Sequence, residues 1–261
     1  MHNENKIDHR IHYIIMTDTE TCNTLQEGGK LDMSSVLVYD IGWQVIDRRG
    51  NVYEEKSYIV KEIFYGEEEL MKSAYYAKKI PQYLADIAEG KRIVADYYTI
   101  RKDYLDTMER YGTHTVCAHN ARFDYNSTNI TQRWLTKSKY RWFFPYGTEI
   151  WDTMKMARDV VCTTEGYKRF CEDNGYLTKH KKPRPRATAE ILYRYISGDN
   201  TFVEEHRGLE DVNIERQILA YCFRKHKTMT KSAFGKQSKT YMEMFVQEVD
   251  EAVNLSEGVQ I

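Results

Sequence analysis

The first quarter of the chain alternates between apolar and polar positions in a way that predicts β-strands. Apolar residues dominate Ile11 to Thr17, which predicts a first strand. Two more strand-like stretches, residues 36–47 and 52–60, are joined by a short turn that contains Gly50. A polar loop, residues 22–35, separates the first strand from the second. Because short turns return a chain antiparallel to itself, the three strands are predicted to form an antiparallel meander.

The remainder of the chain mostly has the spacing of amphipathic helices. This spacing, with a break at a proline between the first two segments, predicts helices over residues 67–79, 83–88, 99–111, 126–135, 151–161, 188–196 and 204–225. Asp152 is well placed to cap the fifth of them. A short apolar strand is predicted at Thr115 to Ala118, Phe143 to Ile150 is irregular or a strand, and the basic, proline-containing stretch 179–186 is a loop. A last helix is predicted over Thr240 to Val253.

Composition and charge limit the classes of protein to which the chain can belong. Hydrophobic residues make up 41% and charged residues 30% of the 261 positions, which is typical of a globular protein with a normal core. The formal net charge of −1 excludes a wholly basic surface, so nucleic-acid binding would need a local basic patch or metal ions at the phosphate. The five cysteines form no Cys-x-x-Cys pair, which indicates reduced thiols. No stretch is apolar enough for a signal peptide or a membrane span, and the sequence predicts a cytoplasmic protein without membrane contact.

Candidate chemistry begins just after the first predicted strand, at Asp18 and Glu20. Alternate side chains of a strand share a face, so the two carboxylates are expected to point the same way. Carboxylates so placed repel each other unless a positive charge lies between them, and Mg²⁺ is commonly held by one or two carboxylates together with substrate phosphates. Asp-x-Glu is nevertheless a common triplet, and on its own it more often marks an exposed strand end than a metal site.

Two further groups of polar residues follow. Asp124 lies near the start of a predicted helix, just after a short strand that ends close to Asn120, and strand ends of mixed sheets are where sites collect. His206 and Asp211 lie at the start of the late helix, and a histidine has a pKa suited to a general base. In the alternative interpretation, Asp124 only starts a helix, Asn120 forms a turn, and His206 is a cap or a surface residue.

Taken in order, these residues resemble the motifs of a known family. The stretches Asp18 to Glu20, His119 to Asp124 and His206 to Asp211 resemble those of the DEDDh 3′–5′ exonucleases, the DnaQ-like branch of the RNase H-like superfamily. The resemblance extends over most of the chain. It implies an α/β fold, the RNase H-like mixed five-stranded sheet flanked by helices, in an exonuclease domain at residues 1–226. The tail at residues 227–261 is expected to add a C-terminal helical segment.

The resemblance also implies a role for each residue. Asp18 would bridge two Mg²⁺ or Mn²⁺ ions. Glu20 and Asp211 would complete the site of the metal that holds the attacking water, and Asp124 would serve the second metal. His206 would take the proton from the nucleophile. Two metals stabilise the attacking and leaving oxygens of an in-line displacement, and the implied reaction removes nucleoside monophosphates from 3′ ends, expected to be those of single-stranded DNA.

Substrate contacts are expected near the terminal nucleotide and along the basic loop. The candidates are Thr19, Thr21, Asn120, Phe123, Lys181, Lys182 and Arg184. The loop could equally be an ordinary solvated segment, and Phe123 could pack in the core. The family often continues after Thr21 with glycine, whereas this chain continues with Cys22 and Asn23 and a longer loop. Substrate preference therefore stays open at this point.

Two other functions compete with this one. An RNA-trimming exoribonuclease would have the same fold and the same acidic residues. A catalytically silent module that binds nucleic acid or a partner is the alternative from another class, and the presence of all five acidic and histidine residues argues against it. The sequence contains no polymerase motifs, so we expect an enzyme that acts alone or beside a replicative polymerase in trans. A replication, proofreading or repair role, including one in a bacteriophage, would fit.

Overall fold

A computed structural model gives the fold of the chain and describes residues 7–23, 32, 36–74 and 77–234. Its centre is a single mixed sheet, whose strands are β1 (Ile14–Cys22), β2 (Leu37–Ile46), β3 (Val52–Val60), β4 (Ile93–Ala95), β5 (Thr115–Ala118) and β6 (Glu149–Asp152). In space the strands follow the order β4–β3–β2–β1–β5–β6. The neighbours β1–β2 and β2–β3 are antiparallel, as the meander predicts, whereas β3–β4, β1–β5 and β5–β6 are parallel.

Helices cover both faces of this sheet. In the described part of the chain they are α1 (Lys61–Phe64), α2 (Glu68–Ser73), α3 (Ile80–Ala88), α4 (Tyr97–Arg110), α5 (Arg122–Thr136), α6 (Thr153–Val160), α7 (Glu165–Asp173), α8 (Ala189–Ser197) and α9 (Gly208–Arg224). A 3-10 turn, Ala77–Lys79, precedes α3. Asp152 caps α6 as predicted, because its carboxylate accepts hydrogen bonds from two backbone N–H groups of the first turn. None of the described helices combines the length and the apolar character that crossing a bilayer requires.

The alternation of β1 divides the core into two halves. Ile15 packs on one face with α3, α4 and α5, whereas Ile14 and Met16 pack on the other face with α6 to α9. Side chains at even positions of β1 therefore point toward α9 as far as Glu20, after which the register of the strand shifts. Asp18 and Glu20 continue this even-numbered series, so the strand directs both carboxylates to the side of the sheet on which α9 lies.

The structure confirms a mixed α/β sheet flanked by helices, and it corrects two details of the prediction. The sheet has six strands rather than five, because β4 is a three-residue parallel edge strand, too short for an alternating pattern to identify it. The first strand was predicted to end at Thr17, but β1 continues to Cys22. The polar residues that suggested a strand end are paired with β2 over this whole length. The predicted limits of β3 and β5 agree with the structure.

The helical predictions differ from the structure in several places. Residues 67–79, predicted as one helix, contain α2 and the separate 3-10 turn. Pro81 does not interrupt a helix but lies in the first turn of α3, where a missing N–H costs no hydrogen bond. The helix α7 was not predicted, and α9 begins at Gly208 rather than Glu204. The predicted helix Thr240–Val253 and most of the 22–35 loop lie outside the described residues.

Candidate active site

One cavity of about 560 Å³ gathers the five predicted catalytic residues. They line it together with four of the predicted substrate contacts, and the set is Asp18, Glu20, Asp124, His206, Asp211, Thr19, Thr21, Asn120 and Phe123. The volume falls within the range of about 300–1,000 Å³ that small-molecule sites occupy. The residues arrive from three parts of the fold, which are β1, the turn from β5 into α5, and the start of α9.

The close approach of α9 to the sheet depends on two glycines. Gly42 on β2 is paired with Asp18 on β1, and a Cβ atom at Gly42 would lie 2.3 Å from the backbone nitrogen of Leu209. A Cβ atom at Gly208 would lie 2.8 Å from the backbone nitrogen of Gly42 and 3.3 Å from the carbonyl oxygen of Asp18. These contacts involve backbone atoms, which cannot swing aside. Glycine at both positions therefore lets the first turn of α9, with Asp211, reach the acidic end of β1.

A buried ionic network fixes the start of α9 from the other side. Asp40 on β2 accepts hydrogen bonds from Arg92 and, at 3.0 Å, from the backbone N–H of Gly208. Arg207 is paired with Asp86, and both arginines are almost fully buried. Buried ion pairs of this kind lose much stability when one partner is removed, so the network holds the beginning of α9 in one place. None of these roles was predicted from the sequence.

His206 precedes α9 instead of lying within it, which corrects the predicted helix start. Its backbone has a φ of 51°, a left-handed conformation in a short segment that joins α8 to α9. The next residue, Arg207, donates its backbone N–H to Asp211 Oδ2 at 3.0 Å. One ligand atom each from His206, Glu20 and Asp211 lies within 4.8 Å of the other two. The left-handed turn thus brings the His206 ring beside both carboxylates.

Asp124 enters the cavity from the first turn of α5 and is held there by β1. Its Oδ1 accepts hydrogen bonds from the backbone N–H of Thr19 at 3.1 Å and from the Thr19 hydroxyl at 2.8 Å. Thr19, predicted as a substrate contact, therefore has its hydroxyl committed to positioning Asp124. Asn120 has a φ of 66° in the preceding turn, and its N–H donates to Asp152 Oδ1. The turn-forming role considered for Asn120 is thus present in the structure.

The cavity holds several buried carboxyl groups. Burial raises the pKa of Asp124 to about 7 and that of Asp211 to about 8. Burial is also the first cause that raises the pKa values of Asp18, Glu20 and Glu215, and repulsion between neighbouring carboxylates adds to it. Among the ion pairs of the described residues, none includes any of these five side chains. Such a cluster needs protons or an added cation to be stable.

Lys79 and His206, which lie near this cluster, have pKa values shifted in the opposite direction. Burial lowers the pKa of Lys79, whose positive charge in turn lowers the pKa values of Glu20 and Asp211. Burial, followed by the charge of Lys79, lowers the pKa of His206. The Nδ1 atom of His206 lies 3.9 Å from Glu204 Oε2. The His206 imidazole is therefore neutral at neutral pH and available to accept a proton.

Glu215 and Arg158 are among the residues of the cavity that were not predicted from the sequence. Glu215 lines it from α9, one turn after Asp211, and is 2% exposed. The spacing of four residues on a predicted helix was the available signal, because it places both side chains on one face. Arg158 lines the cavity from α6, and no pattern in the sequence distinguished it from other arginines.

The three basic candidates, Lys181, Lys182 and Arg184, do not line the acidic cavity. They are exposed and line a second cavity of about 940 Å³, which shares Arg158, Thr178 and Pro185 with the first. The loop that carries them is a narrow hairpin, in which Thr178 N–H donates to the Arg184 carbonyl oxygen at 2.9 Å. The two cavities are therefore adjacent, one acidic and one basic.

Comparisons with known proteins find similarity in structure alone. No family model matches the chain, and none of the curated proteins matches it in sequence. A 3′-exonuclease whose structure concerns 3′-end-specific recognition of the histone mRNA stem-loop is 13% identical, with a TM-score of 0.54 and 85% of each chain covered. A full-length 3′-exonuclease gives 14% identity, a TM-score of 0.53 and the same coverage.

A third solved structure contains only a nuclease domain, and the match covers almost all of it. The nuclease domain of 3′hExo, a DEDDh family member bound to rAMP, is 12% identical with a TM-score of 0.50. The match covers 85% of this chain and 98% of that domain. At sequence identities this low, the similarity shows a shared fold and does not extend to activity. The chain therefore shares its fold with these 3′-exonuclease structures, in agreement with the fold that the resemblance of its sequence motifs implies.

Proposed function

We propose that the chain is a metal-dependent 3′–5′ exonuclease that removes nucleoside monophosphates from the 3′ ends of nucleic acid. The observation that carries this proposal is the convergence, in one cavity, of Asp18, Glu20, Asp124, His206 and Asp211. These residues come from distant parts of the sequence, and no ion pair of the described residues includes any of the four carboxylates. The fold shared with a DEDDh nuclease domain supports the same proposal.

The donor set of the cavity fits divalent metal ions. Oxygen ligands suit Mg²⁺ and Mn²⁺, and a divalent cation would offset the burial of several carboxylates at once. The side chains that would hold two such ions are Asp18, Glu20, Asp124 and Asp211. When bound, the ions supply positive charge to the attacking and leaving oxygens of an in-line displacement. Thr19 and the backbone N–H of Arg207 keep two of these carboxylates in place.

We assign the role of general base to His206. Its ring is neutral at neutral pH because burial lowers its pKa, so a ring nitrogen can accept the proton of the attacking water. The left-handed backbone and the neighbouring Glu204 carboxylate restrain where the ring points. His206 also lies close enough to Glu20 and Asp211 to bind a metal directly. The His206 variant described in the Discussion distinguishes the two roles.

The substrate strand would extend from the acidic cavity onto the basic hairpin. Phosphate groups of a nucleic acid are recognised by exposed lysines and arginines along a groove. The exposed residues that would make these contacts are Lys181, Lys182 and Arg184, with Arg158 at the junction of the two cavities. Thr21 and Phe123, both half-buried at the cavity wall, and the exposed Asn120 are the proposed contacts of the terminal nucleotide.

We propose single-stranded DNA as the main substrate and RNA as the second candidate. One observation supports RNA as the second candidate. One of the similar structures concerns recognition of a histone mRNA stem-loop, and another is bound to rAMP. A role beside a polymerase in trans, in replication, proofreading or repair, stays a prediction from the sequence.

The substrate is tested with single-stranded, double-stranded and mismatched DNA and with RNA, each labelled at the 5′ end. Every substrate is offered with an open and with a blocked 3′ end, in Mg²⁺ and in Mn²⁺. We expect stepwise shortening of open single-stranded DNA and no cleavage of blocked strands. Asp124→Asn should abolish the ladder, whereas Asp103→Asn, a half-buried carboxylate on α4 bonded to Tyr58, should not. Internal cleavage, or cleavage of blocked strands, would contradict the proposal.

A further inference from the structure

Glu215 occupies a position at which a buried stripe of α9 changes character. The stripe is apolar toward the end of the helix, where Ile218, Leu219 and Cys222 are fully buried. One turn earlier it carries Glu215, and one further turn back it carries Asp211. Residues four apart share a helix face, so the two carboxylates enter the same cavity.

Glu215 is held by a hydrogen bond and not by a salt bridge among the described residues. Among the described residues no ion pair includes it, and its Oε2 atom accepts one hydrogen bond, at 3.2 Å, from the backbone N–H of His119. Of the charges that act with burial to raise the pKa of Asp18, that of Glu215 comes first. Asp124 stands first among the charges that act on Glu215 itself. The hydrogen bond from His119, which lies in the turn between β5 and α5, therefore places Glu215 on the side of the cavity from which Asp124 enters.

A carboxylate is a costly side chain in such a place. Burying it without a cation is unfavourable, and an apolar residue would continue the stripe at no such cost. We propose that Glu215 is a fifth carboxylate of the metal centre, which would help to hold an ion on the side of the cavity that Asp18 and Asp124 line. This inference rests on the proposed metal-dependent function. It goes beyond the four carboxylates that the sequence motifs identify.

A purely structural role makes a different prediction. In that case Glu215 would act only as the acceptor for His119 N–H and would fix the turn between β5 and α5, which the ring of His119 already anchors through Thr153 and the Ala187 carbonyl oxygen. Glu215→Gln keeps an acceptor oxygen of nearly the same shape and removes the charge. A structural residue would tolerate this change, whereas a metal ligand would not.

The experiment is a titration of the metal-free chain with Mn²⁺, without substrate, by calorimetry. The proposal gives Glu215→Gln an affinity for at least one Mn²⁺ that is about 10–100-fold weaker than wild type. The melting temperature should also rise less on addition of Mn²⁺. Asp103→Asn, which removes a carboxylate on α4 that does not line the cavity, serves as the matched control and should bind as wild type does. Glu215→Met provides a second charge-free variant that suits the apolar stripe.

Each outcome decides between the possibilities. Wild-type Mn²⁺ affinity in either folded Glu215 variant would overturn the inference. So would loss of folding in both variants without metal, because the carboxylate would then be required by the fold itself. If the wild-type chain took up no Mn²⁺, or if Asp18→Asn and Asp211→Asn bound it unchanged, the proposed function itself would fail. Loss of affinity in Asp18→Asn but not in the Glu215 variants would leave the proposed function standing and remove only Glu215.

Discussion

The substitution Gly42→Ala tests whether the contact between β2 and α9 sets the geometry of the active site. The new Cβ atom would lie 2.3 Å from the backbone nitrogen of Leu209, whereas ordinary contacts begin at 3.4 Å. The start of α9 must therefore retreat by about 1.1 Å, the difference between these two distances. Asp211 and His206 would move with it, while Asp18 and Glu20 stay on the sheet.

The expected loss of rate follows from the size of this displacement of α9. A misplacement of about 1 Å in an active site can cost on the order of 10²-fold in rate. Overpacking of a close contact lowers the free energy of unfolding by about 1–3 kcal/mol, so the variant should remain folded. Gly208→Ala provides a graded comparison, because its shortest contact is 2.8 Å and its shortfall from 3.4 Å is about 0.6 Å. We expect its rate loss to be about tenfold.

The assay is the rate of mononucleotide release from a labelled single strand, at saturating metal and at a temperature at which circular dichroism shows every variant folded. Gly166→Ala on α7 is the matched control, since its added Cβ meets the hydroxyl end of Tyr195, a side chain that can move aside. Its rate should equal that of wild type. A wild-type rate in Gly42→Ala, with the variant folded, would refute the reasoning that these glycines set the position of α9.

We expect three further results, which concern the pH dependence of stability, the role of His206 and the buried ion pair of Arg92 with Asp40. The raised pKa values of Asp124, about 7, and Asp211, about 8, mean that the metal-free folded chain binds more protons than the unfolded chain between about pH 4 and pH 8. Its free energy of unfolding should therefore fall as pH rises through that window, and urea titrations that show a rise would contradict this. His206→Ala should lower kcat by roughly 10²–10⁴ and keep Mn²⁺ affinity; a variant that lost Mn²⁺ but regained its rate at saturating metal would make His206 a ligand. Arg92→Met leaves Asp40, which is fully buried, without its guanidinium, and should cost about 3–5 kcal/mol of unfolding free energy in urea. A loss within error of zero would show that the network contributes no stability.

Hydrophobic spacing and capping residues in the sequence were sufficient to predict much of the fold. The alternation along β1 placed Asp18 and Glu20 on one face, and the structure directs both toward α9. Alternation also identified β3, and a short apolar run identified β5, at their observed limits. Asp152 at the start of α6 was recognised because its capping chemistry depends only on neighbouring backbone groups.

Features that depend on tertiary contacts could not be read in this way. The start of α9 was placed four residues early, since Gly208 is fixed by Asp40 and Gly42, which lie far away in sequence. β4 is an edge strand whose existence depends on pairing with β3 rather than on its own pattern. Glu215 was missed because a single acidic residue on an amphipathic helix resembles any solvated residue until the cavity around it is known.

The metal dependence of 3′-end hydrolysis tests the central claim most directly. A single-stranded oligonucleotide labelled at its 3′ end is incubated with the chain in Mg²⁺, in EDTA, and with Asp18→Ala in place of wild type. We expect wild type to release labelled nucleoside monophosphate in Mg²⁺ and none in EDTA. We expect no release above background from Asp18→Ala. Full release in EDTA, or an undiminished rate in Asp18→Ala, would contradict it.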